Sequence, residues 1–139
     1  MRSPAELTDL FRARGLKVTP QRQAIFRILH DAPTHPTAES VYAAASVEMP
    51  TISLRTVYQT LNDLAAMGEV QQLALGTGSA MFDPNTELHH HLVCDRCGKV
   101  VDVLADAGAV QLTRGQRHGF DIDRTEIVFR GTCPECRDA

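Results

Sequence analysis

The residues best suited to metal chemistry in this 139-residue chain are its cysteines. There are four, in two pairs with the same Cys-x-x-Cys spacing: Cys94, Cys97, Cys133 and Cys136. Two such pairs offer four thiolates, the number that tetrahedral Zn²⁺ takes in a closed structural site. A thioredoxin-type dithiol needs only one pair, next to a βαβ unit. We therefore favour structural zinc, one ion per chain, over a redox dithiol or unrelated buried cysteines.

A run of three histidines precedes the first cysteine pair. On a β-strand, His89 and His91 would project from one face and His90 from the other. Two imidazoles on one face can chelate a second metal ion, although a pair of exposed polar side chains would give the same pattern. Their position beside a predicted zinc site favours the metal-binding interpretation.

Four helices are predicted in the first half of the chain, because helix-capping residues flank segments with apolar residues at helical spacing. Their boundaries fall at Ala5 and Gly15, at Thr19-Pro20 and His30, at Thr37 and Met49, and at Ser53 and Gly68. Pro33 and Pro36 mark the turn after the second helix, and a β-hairpin with its turn at Gly76-Thr77-Gly78 follows the fourth. This order is typical of a winged helix-turn-helix, although a small helical bundle with an attached hairpin would show the same pattern.

A cluster of turn-forming residues, Asp83-Pro84-Asn85, marks the predicted domain boundary. We predict an α+β chain with a winged helix over residues 1–83 and a small α/β domain over residues 84–139. The second domain is predicted to contain strands at 88–93, 100–104 and 126–130, and a helix over 106–118 that Gly119 ends. Zinc binding, at roughly 10–16 kcal/mol in small metal-dependent units, can stabilise a domain of this size.

The two halves of the chain differ in charge. Residues 1–30 hold six basic and two acidic residues, a balance of +4, whereas residues 79–139 hold seven and ten, a balance of −3. The first segment suits phosphates and the second suits cations. The formal net charge of −3 argues only against a generally basic nucleic-acid-binding protein. With no secretory or membrane-spanning stretch visible, we expect a cytoplasmic protein with no membrane partner, whose cysteines remain thiols or bind metal.

Four motifs occur in order along nearly the whole chain. They are Leu16-Lys17-Val18-Thr19-Pro20-Gln21-Arg22, His35-Pro36-Thr37-Ala38, Thr56-Val57-Tyr58, and His89-x-His91-x-x-Cys94-x-x-Cys97-Gly98-Lys99. Together they resemble the ferric-uptake-regulator (Fur) family, most closely its peroxide-sensing branch (PerR). The resemblance implies a homodimeric, metal-dependent repressor and not an enzyme. It also implies a winged helix that binds double-stranded operator DNA and a C-terminal dimerisation domain with structural zinc.

The resemblance further implies a regulatory metal site. Its five ligands fall, motif by motif, on His35, Asp83, His89, His91 and Asp102. These nitrogen and oxygen donors, without a thiolate, suit Fe²⁺ or Mn²⁺, one ion per chain. Aspartate at positions 83 and 102 is similar to the peroxide-sensing branch, in which iron-catalysed oxidation of His35 or His89 would report hydrogen peroxide. The alternative is an iron-responsive or other metal-responsive repressor without peroxide sensing.

The exposed start of the fourth helix is the part that enters the major groove in helix-turn-helix proteins. Candidate DNA contacts are Lys17, Arg55, Thr56, Tyr58 and Gln59, with Thr60 on the same portion of the helix. The resemblance favours Tyr58 and Lys17, and the ring of Tyr58 can pack on a thymine methyl group. Solvated surface is the alternative for an exposed residue such as Arg55. Gln59 departs from the arginine usual in Thr-Val-Tyr-Arg, which affects the expected base preference.

Two further functions are compatible with metal-binding residues. One is a zinc-ribbon enzyme or redox protein with catalytic histidines, but no Ser or Glu lies in a recognisable nucleophile or general-base motif. The other is a switch based on cysteine oxidation. All four thiols are assigned to zinc, which leaves this second function secondary.

Overall fold

The computed structural model describes residues 1–32, 35–76 and 78–139, in two compact units, Met1–Thr86 and Glu87–Ala139. The predicted turn residue Pro33 and the centre of the predicted Gly76-Thr77-Gly78 turn, Thr77, lie outside the described residues. Within the described ranges, no helix has the length and apolar character needed to cross a membrane.

Four helices form the first part of the Met1–Thr86 unit. They are α1 (Pro4–Ala13), α2 (Pro20–Asp31), α3 (Ala38–Glu48) and α4 (Leu54–Ala66). Each begins after a Ser or Thr whose side-chain oxygen accepts a hydrogen bond from a backbone N–H of the first turn: Ser3, Thr19, Thr37 and Ser53. This capping satisfies N–H groups that have no partner inside the helix. Gly68, just past α4, has a φ of +74°, a conformation that ends a helix at little cost in glycine.

A two-stranded hairpin completes this unit. Strand β1 (Gln71–Leu73) pairs antiparallel with β2 (Met81–Asp83), so that Gln71 lies opposite Asp83. Phe82 is buried and joins the core formed by the helices. The largest fully buried side chains of that core include Phe11, Phe26, Leu7, Ile25, Leu29, Leu61, Leu64, Val41 and Val57. Helices followed by a hairpin on one core form the predicted winged helix.

The Glu87–Ala139 unit is built on a three-stranded sheet. Its strands are β3 (His90–Cys94), β4 (Val100–Val103) and β5 (Val128–Gly131), in the order β4-β3-β5. Strand β3 is central, antiparallel to β4 and parallel to β5. A four-residue helix, α5 (Pro134–Arg137), follows β5. The sheet therefore brings the start and the end of this unit side by side.

The helix predicted over residues 106–118 is wrong. The structure has two short 3₁₀ helices there, Ala107–Ala109 and Arg114–Arg117. Gly108 and Gly115 each disfavour an α-helix by about 1 kcal/mol relative to alanine. The side chain of Asp106 accepts a hydrogen bond from the N–H of Gly108, which stabilises a turn instead. Residues 108–118 are all exposed, so no buried face offsets these costs.

Candidate metal centres

The four cysteine sulfurs form one cluster inside the Glu87–Ala139 unit. Cys94 ends β3, and Cys97 follows in the turn. Cys133 is the N-cap residue of α5, and Cys136 lies within that helix. The parallel pairing of β3 with β5 places Cys94 opposite Gly131, two residues before Cys133. All four Sγ atoms lie within 4.8 Å of one another.

The geometry of this cluster fits tetrahedral zinc. With Zn–S bonds of about 2.3 Å, the sulfurs of a tetrahedral site are about 3.8 Å apart. The Sγ atoms of Cys97 and Cys133 are 3.7 Å apart. A closed structural site with four thiolates therefore requires little movement of these side chains, and the cluster is a zinc site.

The protons of the four thiols are distributed unequally. Hydrogen bonds from the backbone N–H groups of Cys133 and Cys97 lower the pKa of Cys94 to about 6. The N–H of Cys133 lies 3.3 Å from Cys94 Sγ. Hydrogen bonds with the sulfurs of Cys133 and Cys97 raise the pKa of Cys136 to about 12. Cys136 therefore becomes a thiolate only with a cation beside it, and a bound Zn²⁺ would supply that cation.

Polar contacts tie the two cysteine pairs together. Lys99 Nζ lies 3.1 Å from Glu135 Oε1, and Arg96 donates to the carbonyl of Cys136 at 3.1 Å. The hydrogen bond that Lys99 donates to the Glu135 carboxylate raises the pKa of Lys99. Lysine and arginine beside four sulfurs offset part of the negative charge of a zinc–tetrathiolate site.

Two of the predicted regulatory ligands meet inside the Met1–Thr86 unit. His35 Nε2 lies 3.2 Å from Asp83 Oδ2, and both side chains are about 5% exposed (6% and 5%). The reason is backbone pairing: Phe82 donates to the carbonyl of Pro36 at 2.8 Å, and Thr37 forms a bridge with Met81. The segment before α3 is thereby fixed to β2, next to Asp83.

The other three predicted ligands meet inside the Glu87–Ala139 unit. His91 and Asp102 are opposite each other on β3 and β4. Asp102 Oδ1 lies 3.2 Å from His89 Nε2 and 3.4 Å from His91 Nε2. The two imidazole rings are 4.6 Å apart between centroids. Three donor atoms therefore converge within this unit.

The tautomer of His89 supports metal binding. Its Nδ1–H donates to the carbonyl of Glu87 at 2.6 Å, which leaves the lone pair of the neutral ring on Nε2. That lone pair faces a carboxylate oxygen of Asp102, and two such acceptors at 3.2 Å require a cation or a proton between them. A backbone carbonyl that orients a ligating histidine in this way is common in metal sites. The donor set fits Fe²⁺ or Mn²⁺.

The middle histidine of the run has a different environment. His90 is buried, and its Nδ1 accepts a hydrogen bond from the backbone N–H of Ile127 at 3.0 Å. The contact joins β3 to the residue before β5. His90 thus faces away from Asp102, as the alternation along a strand predicts.

The predicted DNA contacts lie on the surface of the first unit. Lys17, Arg55, Tyr58 and Gln59 are exposed, and Thr56 is half-buried. Thr60 is fully buried, so its inclusion on the exposed portion of α4 was wrong. Its hydroxyl donates to the carbonyl of Thr56 at 2.9 Å, which satisfies the polar group inside the core.

One residue that the sequence did not single out contacts this surface. The hydroxyl of Tyr58 donates to Glu39 Oε1 at 2.8 Å. The hydrogen bond lowers the pKa of Glu39 and raises the pKa of Tyr58. An acidic residue in the first turn of a helix normally indicates only a favourable helix-dipole interaction, so its partner on α4 was not predictable from the sequence.

The sequence model of the Ferric uptake regulator family matches residues 13–130. The Peroxide-responsive repressor PerR of Staphylococcus aureus (strain Mu50 / ATCC 700699) is 38% identical over 128 residues, which cover 91% of this chain and 86% of that protein. The Helicobacter pylori ferric uptake regulator Fur superposes with a TM-score of 0.79 at 20% identity, covering 97% of this chain and 91% of that one.

A structure of PerR from Streptococcus pyogenes, described as a basis for peroxide sensing and gene regulation, gives a TM-score of 0.57 at 25% identity, covering 98% of this chain and 94% of that one. The family resemblance drawn from the motifs is thereby confirmed, as are the predicted fold class and the presence of zinc and a second, nitrogen- and oxygen-based metal site. The chain belongs to the Ferric uptake regulator family, whose members are DNA-binding, metal-responsive repressors.

Proposed function

We propose that this protein is a cytoplasmic, homodimeric repressor that senses hydrogen peroxide through a regulatory Fe²⁺ site. The observation that carries the proposal is that the sulfur ligands and the nitrogen and oxygen ligands form different clusters. All four cysteines belong to one cluster, and that cluster contains no histidine or aspartate. Residues 1–83 would bind DNA, and residues 84–139 would dimerise and hold metal. The relatives named PerR support the peroxide branch.

The regulatory ligands would act as one set of five. His35 and Asp83 form one cluster, and His89, His91 and Asp102 form the other. Asp83 and His89 are six residues apart in the chain, which limits how far the two clusters can separate. A shared divalent ion would therefore link the DNA-binding domain to the metal-binding domain, and its two carboxylates would balance the charge of that ion.

The proposed signal is oxidation of a ligand. When bound, Fe²⁺ would supply the redox chemistry by which hydrogen peroxide oxidises an adjacent imidazole. One oxygen atom of the peroxide is inserted into a ring C–H bond of His35 or His89, the ring loses two electrons, and the second oxygen leaves as water. An oxidised ring is a poorer ligand, so the set of five is broken and repression ends. No spare cysteine would compete for the oxidant, since all four thiols lie in the one cluster that would bind zinc.

The test uses zinc-loaded protein prepared without oxygen. Loaded with Fe²⁺, it should lose operator binding after peroxide, and the peptide containing His35 or His89 should gain one oxygen atom. The same protein loaded with Mn²⁺ should keep both its binding and its mass. Retained binding and unmodified peptides in the Fe²⁺ sample would contradict peroxide sensing and favour the iron-responsive alternative. Repeated turnover of peroxide would instead favour an enzyme.

The exposed apolar face of the second unit supports dimerisation. Leu92 lies between Val101 and Phe129 in the sheet register, so the three side chains share one face. They are 46%, 42% and 43% exposed, respectively. A contiguous apolar patch of this kind commonly marks an interface between proteins. Phe129→Lys should yield a zinc-loaded monomer in sedimentation experiments, whereas a dimer that survives this change would exclude this face.

A further inference from the structure

The contact between Glu39 and Tyr58 joins two helices of the winged helix. Glu39 lies in the first turn of α3, and Tyr58 lies in the second turn of α4. Both side chains are at the surface, and the hydroxyl of Tyr58 donates to Glu39 Oε1 at 2.8 Å. Among the described residues, Glu39 forms no ion pair with a lysine or arginine. Its principal partner is therefore the predicted DNA-reading tyrosine.

A tyrosine hydroxyl has a single proton to donate. While that proton is held by Glu39, it cannot be donated to a phosphate oxygen or to a base acceptor such as guanine N7. The hydroxyl can still accept a hydrogen bond, and the ring can still pack on a thymine methyl group. The contact thus prevents the hydroxyl from donating to phosphates or to base acceptors, and the two contacts that remain, with a base donor or a thymine methyl group, both distinguish bases.

The backbone that carries Glu39 is itself held in place. Thr37 and Ser40 form a capping box at the start of α3, which fixes the backbone of this turn. A side-chain hydrogen bond from Ser79, in the connection between β1 and β2, further lowers the pKa of Glu39. The position of the carboxylate is thus set by the start of α3 and by its contact with α4.

The first turn of α3 directly follows the segment that carries His35, one of the proposed regulatory ligands. Pro36 accepts the hydrogen bond from Phe82, and Thr37 pairs with Met81, so the segment after His35 is fixed to the strand that ends at Asp83. Only three residues separate His35 from Glu39. A change in the ligands His35 and Asp83 would therefore act on the backbone that carries Glu39.

We propose that Glu39 is a positioning residue that determines DNA specificity: its carboxylate holds the Tyr58 hydroxyl, so that Tyr58 reads bases and does not bind phosphates. This inference rests on the proposed DNA-binding function. It assigns Glu39 a role even though a carboxylate near DNA weakens binding through charge repulsion. The gain is in the ratio of operator affinity to random-sequence affinity, and not in affinity itself.

The experiment uses Mn²⁺- and zinc-loaded dimer and a duplex selected by the wild-type protein from a random library. Affinities for this duplex and for random DNA are measured for Glu39→Ala, Glu39→Gln and Tyr58→Phe. Glu39→Ala should lower the operator-to-random ratio about 2- to 10-fold, as expected for a net hydrogen bond. Glu39→Gln keeps an acceptor for the hydroxyl, so it should retain the ratio while both affinities rise.

A double mutant distinguishes positioning from simple charge repulsion. In a Tyr58→Phe background, Glu39→Ala should have no further effect on the ratio, because the hydroxyl is already absent. Equal ratios for Glu39→Ala and Glu39→Gln, or an undiminished effect in the Tyr58→Phe background, would overturn the proposal. The matched control is Glu48→Ala, which removes a carboxylate from the other end of α3 that pairs with Arg27. It should leave the ratio unchanged.

A spectroscopic measurement checks the contact in the absence of DNA. The chain has two tyrosines and no tryptophan, so Tyr42→Phe leaves Tyr58 as the only tyrosine. In this background, Glu39→Ala should move the absorbance change of tyrosinate formation to lower pH, and an unmoved titration would refute the contact. If the wild-type protein fails to select any duplex, the DNA-binding function itself is wrong. If it selects one and Glu39→Ala keeps the ratio, only the role of Glu39 is wrong.

Discussion

The two metal-binding regions differ in how their ligands are fixed. The zinc ligands belong to one compact unit and are held by strand pairing and by contacts such as Lys99 with Glu135. The proposed regulatory ligands are divided, with His35 and Asp83 in one unit and the other three in the second. The four thiolates of the zinc site supply four negative charges to the metal ion, whereas the proposed regulatory set supplies two, from Asp83 and Asp102. Under the proposed function, the complete local site would hold its metal permanently, and the divided, less charged set would exchange its metal.

The largest effect is expected from breaking the zinc site. Cys136→Ser removes one of the four thiolates. The free energy of zinc binding is about 10–16 kcal/mol in small metal-dependent units, and the free energy of unfolding of a whole domain is only about 5–15 kcal/mol. We expect loss of bound zinc and unfolding of the Glu87–Ala139 unit, measured by metal analysis and circular dichroism. Thr132→Ser, beside Cys133, is the control. A folded, zinc-loaded Cys136→Ser protein would show that three thiolates suffice.

The regulatory region should respond to Asp102→Asn without loss of structure. This carboxylate contacts both His89 and His91, so its removal should weaken Mn²⁺ binding by at least about 10- to 100-fold. Zinc content should remain unchanged, which separates the two regions. Isothermal titration measures the affinity, and Asp121→Asn, in an exposed segment, is the control. Unchanged Mn²⁺ affinity would remove Asp102 from the ligand set.

A smaller effect, on stability alone, is expected for His90→Ala. The change removes a buried side chain and leaves the half-buried N–H of Ile127 without its acceptor, which should cost about 1–3 kcal/mol in the free energy of unfolding. Metal content should be retained at both sites, because His90 faces away from Asp102. Urea unfolding of His90→Ala and of the exposed control His30→Ala measures the difference. Loss of Mn²⁺ binding at unchanged stability would reverse the assignment of the three histidines.

The smallest effect is expected from the ion pair between the two cysteine pairs. Lys99→Met removes an exposed contact with Glu135, and such pairs contribute little in water. The fall in the thermal midpoint should be smaller than that of His90→Ala and should vanish in concentrated salt. Glu135→Gln should have no additional effect in the Lys99→Met background. A fall as large as that of Cys136→Ser would mean that this pair is required for zinc binding.

Local signals account for the parts that the sequence predicted well. Thr19, Thr37 and Ser53 each cap the helix that follows, and Gly68 ends α4, because capping depends only on neighbouring residues. The zinc ligands were predictable because Cys-x-x-Cys spacing is itself a geometric requirement. The distances within the two histidine–aspartate clusters were not predictable, since they depend on strand register.

The errors arose where tertiary packing outweighs local pattern. Thr60 is polar, but it lies three residues after Val57 and one before Leu61, so it shares their buried face. Residues 106–118 have apolar positions at helical spacing. Two glycines and the exposure of residues 108–118 to solvent nevertheless favour separate turns. The contact of Glu39 with Tyr58 joins residues 19 apart in the chain, and no local rule links them.

The position of β3 in the sheet has a consequence for synthesis on the ribosome. The Met1–Thr86 unit contains all of its own helices and strands, so it can fold as soon as it emerges. Strand β3 must wait for β5 and for Cys136, which are translated some 40 residues later. If residues 1–83 bind DNA as proposed, the DNA-binding domain would therefore be completed before the metal-binding domain, which would fold only once its last zinc ligand had been made.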